Sequence, residues 1–202
     1  METETIINWF VENWIENVGV ATGLAYIILS VRQNIWCWFF GIISSGLYLF
    51  VFFDSKIYAD MLLQLYYVAM GLYGWIHWAR LDSHTSKKDL PITRLSARYT
   101  LNLVIINFVL FIVIAQLLIH FTDSPVPWID AFTTSLSFIA TWMLARKILE
   151  HWLVWIIVDS ISVGLYFYRG LYSSIILFAV LTILAIVGFY QWKRQWNKTH
   201  LF

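Results

Sequence analysis

A single cysteine, Cys37, stands among 202 residues, so an internal disulfide and a cysteine-based metal site are both excluded. Proline is nearly as scarce. Pro91, Pro125 and Pro127 are the only three, all between apolar stretches, which predicts continuous rather than broken helices. Charged residues make up 12% of the chain and the net charge is +1, leaving no basic surface of the kind that binds nucleic acid. Catalytic signatures are missing too: there is no Gly-x-Ser-x-Gly, no phosphate loop and no His-Glu-x-x-His. An enzyme would need a nucleophile and a second polar group converging inside the apolar segments, and none is apparent; no enzymatic activity and no cofactor is expected. Of the five histidines, His77, His84, His120, His151 and His200 all fall at predicted helix ends or in loops, where solvated or interfacial roles are expected rather than metal binding. The acidic start (Glu2, Glu4, Glu12, Glu16) lacks a basic n-region, so no cleavable signal peptide is expected, and residues 5–13 read as a short interfacial helix.

What remains is apolar. Hydrophobic residues reach 60%, aromatic residues 19% and the mean hydropathy +0.72, values that define a polytopic membrane protein. Seven segments, 15–33, 35–53, 57–79, 99–120, 128–146, 152–168 and 171–192, approach the length of about 20 residues that a bilayer demands. With the N-terminus outside, eleven Lys and Arg residues face the cytoplasm and only Lys56 and Arg169 remain outside, a strong positive-inside bias that requires the odd number of spans. The polar stretch 81–96 is the longest loop and reads as a linker with a topological role alone.

An internal repeat organises these spans. Tyr58, Gly74, Trp78 and Arg80 recur 114 residues later as Tyr172, Gly188, Trp192 and Arg194, and the same displacement links Trp14 to Trp128 and Arg32 to Arg146. Gly46-Leu47-Tyr48 answers Gly164-Leu165-Tyr166 at a displacement of 118, which predicts one loop about a helical turn longer in the second half and the next one shorter. The expected fold is therefore all-α: two parallel three-helix repeats, 14–80 and 128–194, joined by a linker helix at 99–120 in one membrane domain. A ligand site is then expected near the midplane where the two repeats meet.

Trp152, Trp155, Asp159, Ser162 and Tyr166 follow one another at steps of 3, 4, 3 and 4 residues and so share one helix face. Asp159 lies near the middle of that span, where a charge costs roughly 2.5 to 3.5 kcal/mol on insertion scales, so something must compensate for it. Indole rings beside a buried anion suit a flat cationic or amine-bearing aromatic ligand, stacked on the rings while the carboxylate accepts its hydrogen bonds. The structural alternative is an Asp bonded to a neighbouring helix, with the tryptophans as interface anchors. In the third span Asp60, Gln64 and Tyr67 share a face; Gln64 can donate and accept, whereas Asp60 lies nearer the outer end and solvation explains it equally well. Ser44, Ser45 and Tyr48 sit near Gly41 and Gly46, a pattern typical of close helix contacts, and Ser44 is kept as a ligand candidate. Thr133, Thr134, Ser135, Ser137 and Thr141 are expected to bond to backbone carbonyls or facing helices. One deep carboxylate without an intramembrane Lys, Arg or His offers no ion relay, so proton or sodium coupling is not expected.

The segment from Arg146 to Asp159, with Trp152 and Trp155, then Gly170-Leu171-Tyr172, together with Tyr58-Ala59, Leu62-Leu63-Gln64, Tyr73-Gly74-Trp75 and Trp78, resembles the Pnu-type bacterial vitamin transporters over essentially the whole chain. The resemblance implies a 3+1+3 arrangement like that of the sugar-transporting SWEET proteins, a bacterial inner-membrane location, trimeric association, and facilitated diffusion with trapping by a cytoplasmic kinase. Family members of the nicotinamide riboside branch (PnuC) typically carry Asn at the positions of Ser44 and Asp159. This chain departs at both, so the thiamine branch (PnuT) is the better match: a cationic thiazolium and an aminopyrimidine suit Asp159 between Trp152 and Trp155. Nicotinamide riboside transport is the alternative, and a membrane receptor or structural subunit without transport is the alternative of another class.

Overall fold

A computed structural model of the chain describes residues 14–54, 58–82, 90–168 and 172–200. Seven helices lie within them: α1 (Trp14–Val31), α2 (Trp36–Asp54), α3 (Tyr58–Asp82), α4 (Ala97–Phe121), α5 (Pro127–Ala145), α6 (His151–Tyr168) and α7 (Tyr172–His200). Each matches one expected span, and the fold is all-α in three-one-three order. The stretches Trp36–Phe53, Ala97–Phe121, His151–Tyr168 and Ile175–Thr199 are long and apolar enough to cross a membrane by themselves. α7 outruns its apolar segment by two turns because no Gly or Pro interrupts Lys193–His200, and a helix continues wherever nothing breaks it. The short helix expected over 5–13 lies outside the described residues, as do Lys56, His84 and Arg169.

Contacts divide the chain into two compact units, Met1–Trp75 and Ile76–Phe202. In the first, α1 and α2 pack closely because small residues let their backbones approach. A Cβ on Gly19 would meet the Tyr48 ring at 3.0 Å, one on Gly41 the Tyr26 ring at 2.9 Å, and the Ser44 hydroxyl donates across the pair to Gly19 O at 2.9 Å. α3 joins through bare backbone: Gly71 faces Ile42, and Gly74 lies directly against the Trp38 indole.

In the second unit α4 packs on α5, α5 on α6, and α6 on α7. Ser96 caps α4, and Phe111 of that helix meets Trp128 and Phe132 of α5. Ile139, Met143 and Ile148 form a small buried core with Leu95, Leu103, Leu110, Trp142 and Val154 around it. The α5 hydroxyls turn onto their own helix, as one of the two expected readings held: Thr133 bonds Ile129 O and Asp130 O, Ser135 bonds Phe132 O, Ser137 bonds Thr133 O, and Thr141 bonds Ser137 O.

The two units repeat one local construction. Gln33 (φ 56°) and Lys147 (φ 50°), 114 residues apart, both end a helix in the left-handed conformation that non-glycine residues seldom adopt. Gln33 N–H donates to Ser30 O and Asn34 N–H to Leu29 O; Lys147 N–H donates to Leu144 O and Ile148 N–H to Met143 O. This is the same Schellman closure twice. Trp38 on Gly74 likewise recurs as Trp152 on Gly188, whose Cβ would stand 2.7 Å from the indole. The loop-length difference expected from Gly46-Leu47-Tyr48 and Gly164-Leu165-Tyr166 is therefore corrected. The left-handed turns at Gln33 and Lys147 before α2 and α6, and the Trp38–Gly74 and Trp152–Gly188 contacts that join these helices to α3 and α7, all keep a displacement of 114, so the tripeptide match at 118 is not the structural register.

Candidate functional site

α6 carries the stripe with the one-sided placement its spacing predicts. Trp152, Asp159 and Ser162 are buried, Trp155 and Tyr166 half-buried. Asp159 is 4% exposed, and its carboxylate meets no hydrogen-bond donor or cation among the described residues. Trp152 is 3% exposed: its ring lies on bare Gly188, stands nearly perpendicular to Trp192 (5.7 Å, 86°) and meets His151 at 4.4 Å, while its Nε1–H, fully buried, finds no acceptor among the described residues. Trp152 is thus packed between helices rather than set at an exposed end. Ser162 spends its proton on Val158 O at 2.9 Å and can only accept from a ligand. The Tyr166 ring leans on Phe178 at 5.1 Å.

The remaining candidates belong to the first unit. Ser44 bridges α2 to α1 through Gly19 O, the helix-contact role that small polar residues commonly fill. Gln64 is half-buried on α3, and Tyr67, one turn further, leans on Tyr66 at 5.8 Å. Asp60 occupies the first turn of α3, and its side chain lies outside the described residues.

His151 was expected at a solvated helix end, and the structure corrects this. It is 0% exposed, with Nδ1 2.7 Å from Ile148 O, its ring 4.9 Å from Trp192, and Nε2 buried without a partner among the described residues. Nδ1–H donates to that carbonyl, and the ring forms the floor under Trp152. The sequence held a signal for this arrangement in the displacement of 114 that links Trp38 to Trp152 and Trp78 to Trp192. A cavity of about 500 Å³ opens elsewhere, lined by Val126, Ile129, Ile161, Gly164, Leu165 and Tyr168. It lies on the other side of α6 from Asp159, and its apolar wall offers nothing to orient a charged ligand.

Apolar helices, a carboxylate without a partner among the described residues and an aromatic floor make up this site, and the protein's relatives make it a non-enzymatic, multi-pass membrane transporter of a small vitamin. The family model described as nicotinamide mononucleotide transporter matches residues 13–194, and the chain belongs to that family. It is 28% identical to the nicotinamide riboside transporter PnuC of Escherichia coli (strain K12), over 89% of this chain and 85% of that one. It is 26% identical to the riboflavin/roseoflavin transporter RibM of Streptomyces davaonensis, over 89% and 84%. A crystal structure of the vitamin B3 transporter PnuC shares the fold with a TM-score of 0.75 at 21% identity, covering 96% of this chain and 87% of that one.

Proposed function

We propose that the chain carries a flat, cationic aromatic vitamin across the bacterial inner membrane by facilitated diffusion, with thiamine as the substrate. The observation that carries this reading is Asp159, a carboxylate 4% exposed and without a partner among the described residues, in the stripe that holds Trp152 and Trp155. A buried carboxylate is costly until a cation or donor meets it, so the ligand with a fixed charge and an amine gains most. Overall identity does not select the vitamin, because relatives at 28% and 26% are named for nicotinamide riboside and for riboflavin. A second reading is favoured by those names: nicotinamide riboside, whose pyridinium is also a cation and whose carboxamide NH2 can also donate to a carboxylate. Two repeats, 14–80 and 128–194, joined by 99–120, an outside N-terminus, a cytoplasmic C-terminus, homotrimeric association and trapping by a cytoplasmic kinase complete the proposal.

Purified protein should bind thiamine at least about tenfold more tightly than nicotinamide riboside or riboflavin, the size of one hydrogen bond to a charged group. Quenching of tryptophan fluorescence reads the titration directly, since the proposed stacking partners are indoles. A reversed order assigns the chain to nicotinamide riboside. Binding of thiamine without any entry into vesicles assigns it to the receptor class.

A further inference from the structure

The end of the loop that was expected to serve topology alone grips the start of α6. Thr93 N–H donates to Lys147 O at 3.0 Å and Thr93 O accepts from Leu149 N–H at 2.9 Å, a short parallel bridge across the 146–150 turn. Glu150 then uses both carboxylate oxygens: Oε1 accepts from Arg94 Nε at 3.0 Å and Oε2 from Leu95 N–H at 3.1 Å. Its side chain is 19% exposed against 53% for Arg94. Ile92 is buried beside this bridge, the Arg94 guanidinium lies 5.3 Å from the Trp196 ring near the end of α7, and Ser96 caps α4. Five residues thus tie together the start of α4, the start of α6 and the end of α7. The turn is also anchored to the end of α3, where Trp78 Nε1–H donates to Ala145 O at 3.0 Å and the Lys147 ammonium sits 4.4 Å over the Trp78 ring.

An exposed ion pair alone contributes little. Here the same carboxylate also accepts from a backbone N–H beside a two-bond bridge, which fixes geometry as a lone pair of charges cannot. The corresponding turn of the first unit has Trp36, 54% exposed, where the second has Glu150.

We propose that Glu150 is a positioning residue for the vitamin site: by locking residues 92–96 to the 146–150 turn it holds Trp152, two residues on, against Gly188, without touching the substrate. This inference rests on the transport reading. The test is exchange across proteoliposomes reconstituted with the full chain, with thiamine and nicotinamide riboside each as probe. Glu150→Ala should raise the half-saturating concentration about two- to tenfold, the loss of one or two hydrogen bonds, while the maximal rate stays within about twofold. Glu150→Gln, which still accepts from Leu95 N–H, should recover most of that affinity. Arg94→Ala, which loses the ion pair and the contact with Trp196 while Leu95 N–H keeps its acceptor, should have the smaller effect, and when added to Glu150→Ala it should cost less than it does alone. Unchanged half-saturation in Glu150→Ala, or a lower maximal rate at unchanged half-saturation, overturns the proposal. Should the wild type exchange neither probe, the transport reading fails by itself. Hydrogen exchange then decides for Glu150: faster exchange at the Leu95 and Leu149 amides in Glu150→Ala supports the lock, and unchanged protection overturns it.

Discussion

Asp159→Asn should weaken thiamine binding by about 1.5 to 3 kcal/mol, or roughly 10- to 150-fold, the range for a hydrogen bond to a charged group. The carboxamide fills the same space and keeps one acceptor, so what is lost is the charge. Because Asp159 is 4% exposed and unpaired among the described residues, removing its charge should not weaken the fold, and the variant is expected to be at least as thermally stable as the wild type. This combination, weaker binding with equal or better stability, separates a ligand group from a structural one. A structural aspartate bonded to a neighbouring helix would lose stability on substitution while binding stayed intact. Trp155→Ala should reduce affinity by a comparable factor through lost stacking. Isothermal titration beside thermal unfolding in detergent measures both quantities on one preparation. Wild-type affinity in both folded variants contradicts the role given to the stripe.

Gly188→Ala should be the most damaging single-methyl addition in the second unit. Its Cβ would stand 2.7 Å from Trp152 Cε2 and Cζ2, and the indole has nowhere to retreat, with His151 at 4.4 Å and Trp192 at 5.7 Å. Overpacking of this kind costs about 1 to 3 kcal/mol. Gly74→Ala drives a methyl into Trp38 in the first unit and should cost a similar amount, because Trp38 and Trp152 occupy equivalent positions in the two units. The two variants differ in readout. Gly188→Ala displaces a proposed ligand-stacking ring and should lower vitamin affinity as well as melting temperature. A second substitution that replaces the indole with a smaller ring, Trp152→Phe, should return part of the stability of Gly188→Ala without its affinity. Unchanged melting of Gly188→Ala contradicts the packing described here.

The helices were legible in the sequence, while the ways in which they meet were less so. Charge is so sparse that each run between polar residues marks one span, and the structure moves most boundaries by one to three residues. The 3-4-3-4 spacing from Trp152 to Tyr166 placed those side chains on one face because helix periodicity depends only on local sequence. What escaped was non-local or sterically unusual. Gln33 and Lys147 end their helices with a positive φ normally given to glycine, so no glycine announced either turn. His151 looked solvated from its place at a helix start, but Trp152 and Trp192 close over it, and only the displacement of 114 hinted that Trp38 and Trp152 lie on glycines in both halves. Gly46-Leu47-Tyr48 misled in the opposite direction, since a short tripeptide recurs readily in a chain that is 19% aromatic. The Thr93 bridge and the Glu150 contacts join segments over 50 residues apart, and no local pattern encodes such a pairing.

Counterflow in proteoliposomes tests the central claim most directly, with unlabelled thiamine inside, labelled thiamine outside, and no ion gradient. Uniport of a cationic vitamin predicts that label enters by exchange, that without internal thiamine it stops at equal concentrations, and that an imposed pH or sodium gradient changes neither result. The reason is that a coupled carrier needs a second ionisable site whose occupancy alters reorientation, and Asp159 is the deep carboxylate already committed to the substrate. Uphill, gradient-driven accumulation in the absence of a kinase, or no thiamine-dependent entry at all, would contradict the account.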